Sequence, residues 1–313
     1  MKIVFMGTPQ YSVETLKALI KAGHHIAAVF CQPDKPVGRK RILTAPPVKT
    51  FALEQGIEVY QPETVRTDEA YEILKAISPD VIVVVAYGKI LPERILTLPK
   101  FGCINGHASI LPKYRGASPI QWAIVCGEKE TGVTAMYMDK GMDTGDILEV
   151  SKTDIMPFET ADELFERLSV LTADLLVETL RKAEQGTLVA VKQNENEATY
   201  APIITKEMAL IDFNKPAQNI LNLVRGFNSW PVAYCYLDGK RFKIYACEVS
   251  GSSNATPGTV VDADSLMVVC GDNNCIVLKE VQLEGSKRMT AEDFLKGNKI
   301  PVGTVLSQGE CCG

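Results

Sequence analysis

The chain is poor in the residues and patterns that hold metals, bind dinucleotides or cross membranes. It has three histidines, and two of them, His24 and His25, are adjacent at a turn. Its nine cysteines are scattered without the paired spacing of a zinc site or a disulfide framework. Cys31, Cys103, Cys126 and Cys270 sit in apolar surroundings and read as small buried hydrophobes of a reducing compartment. No metal is expected. No run approaches the ~18–20 apolar residues of a membrane-spanning helix. The amino terminus opens on strand-like Lys2-Ile3-Val4-Phe5 with no signal-peptide pattern, so a cytoplasmic protein with no membrane partner is expected. A βαβ start would suit a dinucleotide, but Gly-x-Gly-x-x-Gly is missing after Gly7-Thr8-Pro9, which argues against one. The formal net charge of −5 lacks the basic excess of a general nucleic-acid coat. It leaves room for RNA as a substrate, because a local basic patch is enough to grip phosphate.

What the chain does have is apolar content, 46% hydrophobic over 313 residues, enough for two cored domains. Ile3–Met6 reads as a buried strand, Ser12–Ala22 as a helix and His25–Cys31 as a second strand. Val81–Val85 is apolar on both faces, the mark of a central parallel strand covered by helices. It runs into Tyr87-Gly88, where open α/β sheets meet their ligands; packing alone is the other reading of Tyr87. Phe158–Gln185 is a long helical stretch that closes a first domain at 1–185. Residues 186–206 lose periodicity and read as a surface linker. Beyond it, 207–313 carries Ala233–Leu237, Arg241–Ala246, Gly258–Asp262, Leu266–Cys270 and Cys275–Gln282 as short alternating strands. The expected class is α/β: a Rossmann-like, open, mostly parallel sheet, then a small OB-like β-barrel.

Two basic stretches stand out. Lys35-Pro36-Val37-Gly38-Arg39-Lys40-Arg41 is an irregular Pro/Gly loop with four cations in seven residues. Lys240, Arg241 and Lys243, with Lys287 and Arg288, offer the barrel a phosphate-facing patch. For both, simple solvation is the alternative reading.

The densest chemistry lies in Asn105-Gly106-His107-Ala108-Ser109-Ile110-Leu111-Pro112-Lys113-Tyr114-Arg115-Gly116. An amide, an imidazole and a hydroxyl within five residues are poor core material, since each buried polar group needs a partner. They suit one reacting carbonyl: Asn105 can donate to an oxyanion, and His107 can donate or move a proton near neutral pH. Asp139-Lys140-Gly141-Met142-Asp143-Thr144-Gly145-Asp146 supplies a carboxylate to orient the imidazole.

Asn-x-His-x-Ser-x-Leu-Pro-x-Tyr-Arg-Gly, followed by Asp-x-Gly-x-Asp-Thr-Gly, resembles the active site of the folate-dependent formyltransferases. With the opening Met1–Pro9, the basic Lys35–Arg41 stretch and the length, the resemblance narrows to the methionyl-tRNA formyltransferase family and covers essentially the whole chain. It implies that 10-formyltetrahydrofolate gives its formyl group to the methionyl amine of initiator tRNA in translation initiation. Asn105, His107 and Asp143 match the family's catalytic residues, while Asp139 and Asp146 read as loop-shaping. Tyr87, Gly88, Ser109, Ile110, Leu111 and Pro112 fall where the family binds folate. Lys35, Arg39, Lys40 and Arg41 fall in the loop that enters the acceptor-stem region, and Arg39 matches its arginine. Gly106 departs from the family, which carries an apolar residue such as valine there, and is expected to loosen the strand. Other readings are formyl transfer to glycinamide ribonucleotide or an amino-sugar, or a non-catalytic RNA-binding protein.

Overall fold

The computed structural model describes residues 1–38 and 40–308. The first elements in chain order are β1 (Lys2–Gly7), α1 (Gln10–Lys21), β2 (His25–Phe30), β3 (Lys35–Val37), β4 (Ile42–Thr44), α2 (Pro47–Glu54) and β5 (Val59–Tyr60). They are followed by α3 (Asp68–Ile77), β6 (Val81–Val85), α4 (Glu93–Leu96), β7 (Cys103–His107) and β8 (Arg115–Gly116). Next come α5 (Pro119–Val125), β9 (Glu130–Tyr137), β10 (Ile147–Asp154), α6 (Ala161–Gln185) and β11 (Tyr200–Ala201).

A seven-stranded sheet forms in the order β10-β9-β7-β6-β1-β2-β5. The strands β7, β6, β1, β2 and β5 run parallel, while β9 is antiparallel to both β7 and β10. Every residue of β6 is buried, as its unbroken valine and isoleucine run requires. Alternation divides the sheet faces. Val4, Met6, Ile82, Val84 and Cys103 share one core with Ala70 and Leu74 of α3 and Ile95 of α4. On the other face, Ser12 of α1 donates to the Val85 carbonyl at 2.6 Å. The chain turns opposite ways from β1 to its neighbours β2 and β6, so the strand order reverses there, where such sheets open a crevice at their carboxyl ends.

The structure differs from the sequence reading in four places. Cys126, expected as a buried hydrophobe, is exposed just past α5. The Lys35–Arg41 stretch, expected as an irregular loop, begins a two-stranded ribbon in which Lys35 pairs with Thr44, Pro36 with Leu43 and Val37 with Ile42. Both strands are fully exposed, so no inward face imprinted an alternating pattern, and Pro36 is tolerated because the ribbon is all edge. Strand β10 was not expected; its exposed alternate residues make it a polar edge strand. The 186–206 stretch bonds at Ile147–Val191 and again where β11 pairs with β8.

The remaining elements are α7 (Ala217–Gly226), β12 (Tyr234–Leu237), β13 (Lys240–Ser252), β14 (Val260–Asp262), β15 (Met267–Val269), β16 (Asn274–Leu283), β17 (Met289–Thr290) and α8 (Ala291–Gly297). The antiparallel sheet runs β12-β13-β16-β15-β14. Its two edges are tied by one segment: Ser307 exchanges hydrogen bonds with Tyr236, and Leu306 donates to Gly258. The sheet thereby curls toward a barrel around Phe242, Ile244, Val260, Val268, Ile276, Leu278 and Phe294.

By contacts the chain forms two compact units, and they do not follow chain order. One holds 1–119, 130–154 and 165–201; the other holds 120–129, 155–164 and everything from 202 on. In the second unit, Trp122 of α5 packs edge-on against Phe227 with ring centroids 6.4 Å apart.

Candidate active site

Strand β7 delivers the site. Asn105 and His107 are two residues apart and share the face that Cys103 occupies, while Gly106 points the other way. Both polar side chains are largely buried, at 9% and 6% exposure. The His107 ring is oriented by the backbone: Nε2 lies 2.9 Å from the Tyr114 carbonyl oxygen. A carbonyl can only accept, so Nε2 carries the proton and Nδ1 is the nitrogen left for chemistry. Nδ1 faces Asp143 Oδ2 at 3.6 Å, too long for a direct hydrogen bond. The same Oδ2 accepts from the Gly116 N–H at 2.8 Å. Among the described residues the Asn105 carboxamide has no hydrogen-bond partner, so its donors are free for a ligand.

Backbone strain gathers around this group. Ala86, Tyr114 and Asp143 all have left-handed backbones without being glycine, with φ of 47°, 59° and 54°. Such conformations cost about 1–3 kcal/mol each and persist where the surroundings over-determine them. The Asp143 loop is wound tightly. Asp139 accepts from Gly141 N and Thr144 Oγ1, the loop-shaping role its position suggested. A β-carbon on Gly145 would stand 1.8 Å from the Tyr137 carbonyl oxygen, so only glycine fits.

The expected folate-site residues divide by what their atoms are doing. Ser109 is fully buried; its hydroxyl donates to the Lys113 carbonyl at 2.6 Å, and its carbonyl accepts from Thr134 Oγ1 at 2.7 Å. Thr134 also accepts from Leu111 N at 3.1 Å, so this threonine braces the whole Ser109–Pro112 turn. Ile110 and Pro112 are half-buried and Leu111 is buried. Tyr87 packs inside the sheet core at 1% exposure, and its hydroxyl has no partner among the described residues. Burial pushes that phenol well above the ordinary tyrosine range. Its carbonyl accepts from Gln32 Nε2 at 3.0 Å, and Gly88 lies exposed beside it. A cavity of about 170 Å³ opens between Ile90, Leu91, Met136, Met138 and the 139–143 loop, with Asp143 on its wall.

Of the cations, Lys35 donates to Gln32 Oε1 at 2.7 Å, while Lys40 and Arg41 are exposed at the ribbon tip. Arg39 lies outside the described residues. The ribbon base is fixed by Asp34, which takes Lys49 Nζ at 2.9 Å and Gln61 Nε2 at 2.7 Å. In the barrel, Arg241 and Lys243 sit two residues apart on the outer side of β13, opposite Tyr236 and Tyr234. Arg241 stacks over the Tyr234 ring at 4.6 Å. Lys240 instead lines a groove with Leu237, Asp238 and Asn298. Arg288 is held by Glu280 through bonds of 2.6 and 2.5 Å.

Sequence reasoning missed the groups that support the site. Gln193 donates to the carbonyls of Asp143 and Gly145, and Arg115 holds both Gln193 and Glu195. A polar run without periodicity carries no signal of such contacts, and a backbone acceptor such as Tyr114 carries none at all.

An α/β sheet that presents an amide, an imidazole and a carboxylate, in a chain that also forms a curled antiparallel sheet, has the architecture and the polar groups of a group-transfer protein. The formyl transferase family matches residues 1–180, and the formyl transferase C-terminal domain matches residues 203–299. The chain belongs to the formyl transferase family. It is 52% identical over 309 residues to the methionyl-tRNA formyltransferase of Caldanaerobacter subterraneus subsp. tengcongensis, covering 98% of this chain and 100% of that protein. It is 47% identical over 312 residues to that of Acetivibrio thermocellus, with the same coverage. Among solved structures, the N-formyltransferase of Helicobacter canadensis with folinic acid and dTDP-3-aminofucose matches with a TM-score of 0.68. That likeness, at 22% identity, covers 89% of this chain and 98% of the other, and speaks to the fold.

Proposed function

We propose that the chain moves the formyl group of 10-formyltetrahydrofolate onto the α-amine of methionine esterified to initiator tRNA. One observation carries the reading. Asn105, its amide free, and the buried His107 imidazole share one face of β7, and the Asp143 carboxylate stands 3.6 Å from His107 Nδ1, in a chain about half identical, end to end, to proteins of that name.

The amine attacks the formyl carbon, and the carbonyl pair moves onto oxygen. Asn105 donates to the resulting oxyanion. The proton lost by the amine passes to His107 Nδ1, and the Asp143 carboxylate 3.6 Å away stabilises the imidazolium. Collapse re-forms the carbonyl and expels N10 of the folate, which takes a proton back. Holding both reactants together does much of the work, so no covalent enzyme intermediate is needed.

The cavity beside Asp143, walled on one side by Ile90 and Leu91 of the loop after Tyr87-Gly88, suits the pterin. The β3–β4 ribbon, with Lys35, Arg39, Lys40 and Arg41, suits the acceptor stem. On the barrel, Arg241 and Lys243 beside two tyrosines suit the RNA backbone, and Lys240, in its own groove, adds a further cation nearby in the chain.

The test offers labelled formyl donor with initiator methionyl-tRNA, glycinamide ribonucleotide and an amino-sugar nucleotide. Label on the methionyl amine alone is expected. Label on either small amine, or none on the tRNA, overturns the reading.

A further inference from the structure

We infer that Gln193, backed by Arg115 and Glu195, is a positioning residue for the Asp143 carboxylate; this rests on the reading of Asp143 as a member of the reacting site.

Asp143 is a difficult residue to hold. Its backbone is left-handed at φ 54°, and its carboxylate must stand beside His107 Nδ1. Three residues, Gln193, Arg115 and Gly116, close a ring of hydrogen bonds around it. Gln193 Nε2 donates to the Asp143 carbonyl at 2.8 Å and to the Gly145 carbonyl at 2.7 Å, which uses both amide hydrogens. Gln193 Oε1 accepts from Arg115 Nε at 3.0 Å and from one terminal guanidinium nitrogen at 2.8 Å. The Gly116 N–H, next in the chain to Arg115, donates to Asp143 Oδ2 at 2.8 Å and closes the ring. The carboxylate is thus held from one side by the β8 backbone, while the Arg115 side chain, through Gln193, holds the main chain it springs from.

The chemistry of each member is specified. Two carbonyls on one side of Gln193 demand an NH2, and a guanidinium on the other demands an oxygen, so the amide has one orientation. Arg115 is itself fixed: only 1% exposed, it meets Glu195 through two bonds of 2.8 Å in a planar fork. Its backbone N–H donates to the Thr199 carbonyl at 2.9 Å, which pins β8. A glutamate at 193 would face two carbonyls without a proton to offer. Closed hydrogen-bond circuits of this kind hold a strained backbone in one place. The segment that looked like a passive linker therefore supplies a brace for the reacting loop.

The experiment compares Gln193→Ala, Gln193→Glu and Asp143→Ala singly, and both Gln193 variants in the Asp143→Ala background, all in the full chain. Gln193 is half-buried at the surface, so both variants should fold, which thermal melting checks. Each single Gln193 variant should lower kcat by ~10–100-fold, the cost of misplacing a reacting group by about an ångström. KM for donor and methionyl-tRNA should stay within about twofold. The pH profile of kcat should change shape, whereas a merely structural defect would lower it evenly. In the Asp143→Ala background the Gln193 changes should add nothing. Wild-type kcat in Gln193→Glu, or a full additive loss without Asp143, overturns the inference. Wild-type kcat in Asp143→Ala would instead overturn the reading of the site beneath it.

Discussion

Gly106 lies so close to Thr172 that a β-carbon built on it would stand 2.6 Å from the threonine's Cγ2 and 2.9 Å from Leu176 Cδ1. Thr172 has little freedom to yield. Its hydroxyl donates to the Leu168 carbonyl at 2.7 Å and bonds the Tyr11 hydroxyl at 2.6 Å, which fixes its rotamer in α6. Gly106 was expected to loosen its strand; in the structure helix α6 packs directly against the strand that carries Asn105 and His107 at this position. The glycine is filled space.

Gly106→Val should therefore overpack the α6 face, costing ~1–3 kcal/mol of stability, and should displace the flanking Asn105 and His107 side chains. Gly106→Ala paired with Thr172→Ser is the sharper probe, because serine keeps the hydroxyl bonds and removes Cγ2. The double variant should recover most of the melting temperature and kcat lost by Gly106→Ala alone. No recovery would mean that the contact does not set the strand position.

Asn105→Ala should lower turnover by ~10²–10³ while leaving the fold and folate binding in place, since the amide supports no protein group. Asp143→Asn keeps the Gly116 bond but removes the charge opposite His107 Nδ1. Its kcat should fall with little change in KM. Steady-state kinetics across pH decides: a profile superimposable on wild type would remove Asp143 from the proton path.

Replacing Lys40 and Arg41 with alanine, together with Arg39, should weaken tRNA use and leave folate binding untouched. The ribbon strands bury nothing, so stability should be unchanged. Each lost phosphate contact should flatten the log–log salt dependence of tRNA affinity by roughly 0.7–0.9. Parallel salt curves for wild type and variant would make the ribbon a solvated bystander.

Acid should loosen the brace on the Asp143 loop. The Arg115 guanidinium holds the Glu195 carboxyl below the usual carboxylate range. A lowered folded value means stability that is full above the unfolded value of 4.5 and is lost as pH falls through the folded one. Melting temperatures from neutral pH down to about 3 should fall less steeply for Glu195→Gln than for wild type. Identical acid limbs would show that this ion pair contributes nothing.

A chain cut near Lys206 should be poorly folded. The cut removes Phe227 from Trp122, and Gly226 from Val125. It also strips Arg225 from the Met156 and Glu159 carbonyls, which it reaches at 3.2 and 3.3 Å. Exposed apolar surface, read by dye binding and sedimentation, should mark the truncated protein; a monomer melting like wild type would contradict this.

The sequence by itself determined the central strands of the sheet and the candidate side chains of the site. The unbroken run Val81–Val85, short and entirely β-branched, reads as a strand buried on both faces, as it is. Asn105 and His107, two apart on a strand, necessarily share a face. The start of α3 (Asp68–Ile77) is set locally, because the Thr67 side chain accepts from Ala70 N and two acids open the helix. The barrel strands were legible as alternation, though not the segment around Ser307 that ties their edges. What only tertiary structure decided is which groups hold the candidate site residues: the Tyr114 carbonyl on His107, Thr134 behind Ser109, and Gln193 on Asp143. The physical reason is the same in each case. Periodicity records only how a residue faces its own element, whereas these bonds join backbone carbonyls and polar side chains up to 50 residues apart, which no local pattern encodes.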